Sequence, residues 1–385
     1  MRLNPLPPLS LYVHLPWCVR KCPYCDFNSH AERDGLPEER YVDALLKDLV
    51  LDTAMVDDRA IETIFIGGGT PSLFSAATIA RLLKEIRANL AVTTDAEITL
   101  EANPGTAELD RFYGYREAGV NRLSIGVQSF DGDKLKALGR IHGPTEAVAA
   151  ANAAQAAGFE NVNLDLMYGL PHQNAVQARA DIAMAVAQQP THISAYQLTL
   201  EPNTPFYRDP PALPDEATID ATQEAIMEAL ADSGYCQYEV SAYARDGKVC
   251  RHNRNYWEFG DYLGIGAGAH AKISHADGVT RIAKTRAPEA YMRAAGNADV
   301  RAEERMLSNN DLSFEFMLNA LRLRDGFPIE LFTARTGLSL DHIAIPLRSA
   351  RAKGLLDEDD GRLRPTALGR RFLNDLTMLF LPLRG

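Results

Sequence analysis

No run of apolar residues in this chain approaches the ~20 needed to cross a bilayer as a helix. The opening residues, "MRLNPLPPLS", lack both the apolar core and the small-residue cleavage site of a secretory signal, so the expected location is the cytoplasm. Cysteine is scarce: there are five, an odd number, which disfavours a closed disulfide framework. Basic residues are outnumbered, 40 Lys and Arg against 51 Asp and Glu, for a net charge of −11. Such a balance disfavours a general nucleic-acid binder, which needs a basic face for phosphates. The deficit is uneven, however. From Arg301 onward there are 13 basic and 12 acidic residues, so the acidity sits in the first 300. Internal repeats and low-complexity tracts are absent too.

What is present is a regular alternation. Strand-like apolar runs occur at 11–15, 63–69, 97–103, 122–129, 162–170 and 192–200. Helix-period segments lie between them, near 38–56, 75–90, 106–118, 144–157 and 174–188. Repeated βα units with near-continuous apolar strands predict an α/β fold with a parallel sheet covered by helices. The expected form is a partial or complete (β/α) barrel over about residues 1–285. Several strands end in chemically distinctive residues: Gly67 to Thr70, Glu101, Gln128 and Asp165. Parallel barrels gather their active sites at the strands' C-terminal ends. Any one of these residues alone would serve equally well as a helix cap.

After about residue 300 the texture changes. "DLSFEFMLNALRL", "PIELFTARTGLSL" and "DHIAIPLRSARAKGLL" read as three helices, followed by a β-wing and a final helix. That order predicts a winged-helix-like module over 300–385, and its near-neutral charge favours packing against the barrel over binding nucleic acid.

Three of the five cysteines fall in one loop, "WCVRKCPYCDFNSH", with the spacing C-x3-C-x2-C: Cys18, Cys22 and Cys25. Three thiolates can ligate three irons of a cubane cluster and leave the fourth iron open. A structural zinc site, with His14 or His30 as fourth ligand, is the alternative.

C-x3-C-x2-C just after a first strand, paired with "IGGGTPS", resembles the radical S-adenosylmethionine (SAM) proteins. "YVHLPWCVRKCPYCDFNS", "EANP", "GVQSF", "LGRIH" and "NLDLMYGLP" are similar, in order and spacing, to the oxygen-independent coproporphyrinogen oxidase group. The resemblance implies a 4Fe–4S cluster on Cys18, Cys22 and Cys25 and a cluster-bound SAM against Tyr12, Gly68 and Glu101. It also implies a second SAM against Tyr24, Gly69, Thr70, Gln128, Arg140 and Asp165.

Two departures from the oxidases stand out. Where they have a fourth cysteine there is Phe27, and only ten residues precede the first strand. A third feature is "HNRNYW", residues 252–257. Together these resemble the HemW branch, haem chaperones with C-x3-C-x2-C-x-F and an HNxxYW motif. The resemblance implies haem as cargo, His252 as its ligand, and apo-haemoproteins, including membrane-associated respiratory enzymes, as recipients. Cys250 is the rival ligand, and His270 in "GIGAGAH" is the fallback. Coproporphyrinogen III oxidation is the competing activity, and a radical-SAM reaction on RNA is a third, disfavoured by charge. A cluster loop at the surface would give a homodimer a place to form.

Overall fold

The computed structural model describes residues 5–33, 35–105 and 110–382 of the 385. The six apolar runs form parallel strands β1 (Leu9–Leu15), β2 (Ile61–Gly68), β3 (Val92–Ala102), β4 (Arg122–Gln128), β5 (Val162–Tyr168) and β6 (His192–Gln197). Each pairs in parallel with the next in chain order. They are buried along most of their length, as strands covered on both faces must be.

Five helices make the crossovers: α1 (Glu38–Thr53), α2 (Ala76–Asn89), α3 (Phe112–Ala118), α4 (Pro144–Ala156) and α5 (Ala175–Ala187). The first residues expected in the third helix, 106–109, lie outside the described residues. Local signals set the helix starts. Ser75 caps α2 by accepting from the Thr78 N–H at 3.2 Å, Pro144 opens α4, and Asn174 with Gln177 forms a capping box on α5. A sixth helix, α6 (Glu216–Asp232), packs beside α5.

The sheet does not close, so of the two expected forms the barrel is partial. Beyond β6 the chain adds two short antiparallel strands, β7 (Cys236–Gln237) and β8 (Ala242–Ala244). On the other side of β1 lies β9 (Asp261–Ile265), parallel to it. Then come three antiparallel strands, β10 (His270–His275), β11 (Gly278–Lys284) and β12 (Arg301–Met306). The order is β12-β11-β10-β9-β1-β2-β3-β4-β5-β6-β8-β7. β12 carries "RAEERM" and is mostly exposed; charge along an edge strand blocks pairing with other chains.

Buried ion networks hold the antiparallel extension. Lys284 Nζ donates to Asp52 of α1 at 2.6 Å and also to Asp48, and Arg301 reaches Asp52 at 2.7 Å. Asp261 takes Lys272 at 2.7 Å and Arg59 at 2.9 Å. Each buried charge of these two networks is paired, as its desolvation demands.

The C-terminal module has helices α7 (Arg251–Trp257) beneath it and α8 (Asn309–Ala320), α9 (Ile329–Thr336) and α10 (Ala344–Ala352) within it. A hairpin of Leu356–Asp359 and Arg362–Pro365 joins Phe327–Pro328 in a three-stranded sheet, the winged-helix layout. Two short helices, Ala367–Arg371 and Leu373–Met378, replace the single final helix expected. Phe316 sits at the centre of its core, edge-on to Phe327, Phe332 and the barrel-side Phe259 at 5.1–5.7 Å. Among the described residues no helix is long and apolar enough to cross a membrane.

Candidate functional site

The cysteine loop leaves the end of β1 and is tied at its base. Trp17 pairs with His30, and the Glu32 N–H donates to Cys18 O at 2.8 Å. Within it, Lys21 Nζ donates to the carbonyls of Phe27 (2.9 Å) and Ser29 (3.2 Å), and the Cys25 N–H turns back to Cys22 O. All three thiols are free and half-buried. Burial raises the pKa of Cys18, against a hydrogen bond with Thr70 that lowers it. Burial likewise raises Cys25, against hydrogen bonds from the Phe27 backbone and the Ser29 hydroxyl. Asn28 then clasps the far wall, its Nδ2 donating to Ala267 O and Arg286 O, each at 2.8 Å.

The glycines at the end of β2 stand against this loop. A Cβ on Gly69 would lie 2.4 Å from the Trp17 carbonyl oxygen, and one on Gly68, at φ +120°, would meet the His14 ring at 2.7 Å. Contact with the first strand at Gly68 and with the loop after it at Gly69 therefore demands both glycines. Gly68 N–H donates to Glu101 Oε2 at 3.0 Å. Burial, with the Asp165 charge nearby, pushes the Glu101 carboxyl up to about 7; the Gly68 N–H and Arg122 pull the other way.

Tyr12, His14, Phe27, Gly68 and Glu101 line one cavity of about 800 Å³. Its opposite wall carries Tyr256, Trp257, Tyr262, His270, Arg281 and Arg286. The volume is within the range of small-molecule and cofactor pockets. His14, one of the two imidazoles considered for zinc, has both nitrogens engaged: Nε2–H donates to Asn28 O and Nδ1 accepts from the Tyr12 hydroxyl, each at 2.9 Å. Among the described residues no three His, Cys, Asp or Glu side chains gather where one metal ion would sit. A cubane, whose three ligated irons are separate atoms, does not require the thiols to meet at a point.

Thr70 and Arg140, from the second expected SAM set, face another space. Arg140 Nη2 donates to Asn103 Oδ1 (2.5 Å) and Gly126 O (2.7 Å), and Nη1 points at Cys22 Sγ (3.7 Å). With Thr70, Asn103 and Cys22, Arg140 lines a cleft of about 40 Å³, room for little more than a water. Tyr24 packs on Phe206 at 6.3 Å. Gln128, at φ +70°, accepts from the Tyr196 hydroxyl at 2.6 Å. Asp165 accepts from Ser124 Oγ (2.9 Å) and Asn163 Nδ2 (2.8 Å), and burial raises its pKa.

"HNRNYW" forms α7, which is clamped to the barrel. Glu97 on β3 accepts from the Arg251 and His252 N–H groups, each at 3.1 Å, and caps the helix; spacing gave no hint of it. His252 is 1% exposed. The Thr63 hydroxyl gives its proton to Ser10 Oγ, so His252 Nδ1–H donates to Thr63 (2.8 Å) and Nε2 accepts from the Tyr256 hydroxyl (2.9 Å). Burial, then Arg122, lowers its pKa to about 3, so the ring is neutral. The expectation is that His252 presents imidazole to haem; both ring nitrogens are hydrogen-bonded here, and Tyr256, which holds Nε2, lines the cavity. Asn255 Nδ2 donates to Ser10 Oγ and Asp261 O, each at 2.9 Å. Trp257 lies under Arg322 of the C-terminal module at 4.2 Å. Cys250 is fully buried, its thiol 3.6 Å from Glu97 Oε1 and pushed up to about 12 by burial.

The donor set fits a cluster and SAM: three free thiols on one tied loop, beside a roomy cavity with a glycine-lined strand end and a carboxyl raised by burial. The radical SAM superfamily model matches residues 12–185, and the HemN C-terminal domain model matches 307–372. Radical SAM membership implies a 4Fe–4S cluster and SAM. Escherichia coli coproporphyrinogen III oxidase (HemN), described as a radical SAM enzyme, superposes with a TM-score of 0.82 at 26% identity, over 98% of this chain and 91% of that one. "Heme chaperone HemW" of Escherichia coli K12 is 51% identical, covering 98% of this chain and 99% of the relative. The proteins of that name in Haemophilus influenzae and Mycobacterium tuberculosis are 48% and 37% identical over 98% and 96% of this chain, and 98% and 94% of their own lengths. With likeness of that extent, and with the cysteine loop, the glycine strand end and the HNxxYW helix all in place, the chain belongs to the HemW family of radical SAM proteins.

Proposed function

We propose that this protein binds haem and hands it to haem-dependent apoproteins in the cytoplasm, membrane-associated respiratory enzymes among the recipients. Cys18, Cys22 and Cys25 hold a 4Fe–4S cluster, and Tyr12, Gly68 and Glu101 flank SAM. When bound, the cluster supplies an electron and SAM a reducible sulfonium. The chain's own part is to shape and charge the cavity. Glu101 spends Oε2 on the Gly68 N–H and keeps its other oxygen for a cationic group. A positive charge placed there would return its proton to solvent. A second SAM at Tyr24, Gly69, Thr70, Gln128, Arg140 and Asp165 requires the small cleft at Arg140 to open. We treat residues 1–285 as the cofactor-binding unit and 300–385 as the packing module, with β12 the seam between them.

The observation that carries this reading is 51% identity along nearly the full length of a haem chaperone. Phe27 at the oxidases' fourth cysteine supports it. The fold shared with HemN keeps coproporphyrinogen III oxidation as the second reading. The two separate in one experiment on one reconstituted preparation, with haem transfer to an apo-haemoprotein measured beside decarboxylation of coproporphyrinogen III. Transfer without decarboxylation is expected; decarboxylation at an enzyme's rate would replace the carrier reading with the oxidase.

A further inference from the structure

Two cations approach the thiols of the cysteine loop, and they differ in what holds them. Arg140 comes from the barrel and points at Cys22. Lys21 belongs to the loop itself. It stands on the first arm, between Cys18 and Cys22, yet its ammonium crosses to the second arm, where it donates to Phe27 O at 2.9 Å and Ser29 O at 3.2 Å. An exposed lysine ordinarily keeps its rotamer freedom in water; this one gives it up for two carbonyls, with no carboxylate in ion-pair reach among the described residues. Carbonyl oxygens carry only partial charge, so a full positive charge stays uncompensated at a place the loop fixes. Its field favours the thiolate of Cys25, where burial opposes it, and disfavours the cationic form of His30. Cys25 is also met by the Phe27 backbone and by the Ser29 hydroxyl, whose Oγ lies 3.8 Å from Sγ. One short segment, Phe27 to Ser29, therefore anchors the ammonium and aims hydrogen bonds at the same thiol. Arg20, the neighbouring residue, is the contrast: it is exposed and makes no side-chain hydrogen bond or ion pair among the described residues.

We propose that Lys21 tunes the iron–sulfur cluster: its anchored charge beside Cys25 makes the reduced state easier to reach. This rests on the reading that Cys18, Cys22 and Cys25 hold a 4Fe–4S cluster. Reduction adds one electron to such a cluster with no bond formed or broken, so the bound group becomes more negative by one unit. A fixed cation next to one of its ligands stabilises that state more than the oxidised one and raises the potential. Net charge and hydrogen bonds at the sulfurs are general levers on iron–sulfur clusters. Lys21 is exposed, so its effect is that of a surface charge and not of a buried one. It acts through Cys25, as a positioning residue.

The test is an anaerobic potentiometric titration of the full-length, cluster-loaded protein, with dithionite as the electron donor and iron counted on the same samples. Wild type, Lys21→Gln, Lys21→Arg and Arg20→Met are compared. Glutamine keeps an N–H donor for the two carbonyls and drops the charge; arginine keeps the charge. At the wild-type midpoint potential, the reduced-to-oxidised ratio in Lys21→Gln is expected to fall about two- to fivefold, the range over which exposed charge pairs bias an equilibrium. Lys21→Arg should stay near wild type, and Arg20→Met should move less than Lys21→Gln. A wild-type midpoint in Lys21→Gln, whatever its iron count, would overturn the proposal and leave Lys21 a brace of the loop. Loss of the cluster in both Lys21 variants would do the same. An equal shift in Arg20→Met would overturn it too, because the loop's net charge and not the anchored ammonium would then be the cause. Wild type that takes up no iron would overturn the cluster reading itself, and this proposal with it.

Discussion

Replacing His252 by alanine should cost stability first. The imidazole is 1% exposed and makes two side-chain hydrogen bonds, one to Thr63 that joins β2 to the HNxxYW helix and one to Tyr256 within that helix. Each such bond is worth about 1 kcal/mol net, and each partner left unpaired in a buried site costs about 1–3 kcal/mol. Tyr256 can turn its hydroxyl toward the cavity and its water. Thr63 keeps its bond to Ser10 and loses only what it accepted. The void left by the ring also forfeits its 5.1 Å contact with Phe65. The sum is about 3 kcal/mol, or a fall in melting temperature of about 4 °C for a cooperative unit of this chain's size. His252→Gln, which retains a donor and an acceptor, should recover part of that loss. Thermal melts of the two variants and wild type, with the cluster loaded, measure it. A His252→Ala protein that melts with wild type but no longer binds haem would refute the reasoning, because it would mean that the ring is spent on cargo and not on the fold.

Four further outcomes are expected. Cys18→Ala, Cys22→Ala and Cys25→Ala should each fall well below the about four irons per chain of reconstituted wild type; iron counts unchanged in any one would remove that thiol from the ligand set. Gly69→Ala should lose about 1–3 kcal/mol and bind less iron, because a new Cβ 2.4 Å from the Trp17 carbonyl must push on backbone; wild-type melting and iron content would show that the loop yields freely. Phe27→Cys should gain no coproporphyrinogen III decarboxylase activity, and product in that assay would mean that one side chain separates carrier from oxidase. Glu101→Gln should change how stability responds to pH in the SAM-free protein. The folded carboxyl, raised to about 7, binds more protons than the unfolded one, so wild type loses stability as pH rises from about 4.5 to 7. The variant should lack that decline and match wild type most closely at the acid end; parallel pH–stability curves would refute it.

The parallel half of the sheet was legible because strands covered on both faces must be mainly apolar, and β1 to β6 carry enough buried Leu, Ile, Val and Ala to show it despite polar residues such as Glu101, Arg122 and Asp165. The antiparallel half was not. The glycine-rich "GIGAGAH" spans the end of β9, the turn and the start of β10, with too few β-formers to mark either strand, and β12 is "RAEERM", whose charges suit an exposed edge but resemble a linker in sequence. The cysteine loop and the glycine strand end declared themselves by spacing, because their chemistry is local. The surroundings of His252 could not. Its partner Thr63 is 189 residues away, and Glu97, which caps its helix, is 155 away. A motif reports that its residues act together; only the fold reports whether they face a ligand or each other.

Only Leu307 and Ser308 separate the end of β12 from the start of α8. Two residues span about 7 Å at full stretch. β12 is itself zipped along β11 as far as Thr280 opposite Met306, and Arg301 at its start is anchored on Asp52 of α1. The C-terminal module is thus bolted on, with no slack for a clamshell motion. The large cavity opens to solvent beside the exposed Phe27. At its edge is the Asn28 clasp, two hydrogen bonds that close the cysteine loop onto the turns around Ala267 and Arg286. Loading should then leave the molecule's radius of gyration unchanged while the amide protons near Asn28 exchange at a different rate. The loop whose thiols would hold the iron–sulfur cluster also carries this clasp at the cavity's edge, so an occupant of either place would bear on the other.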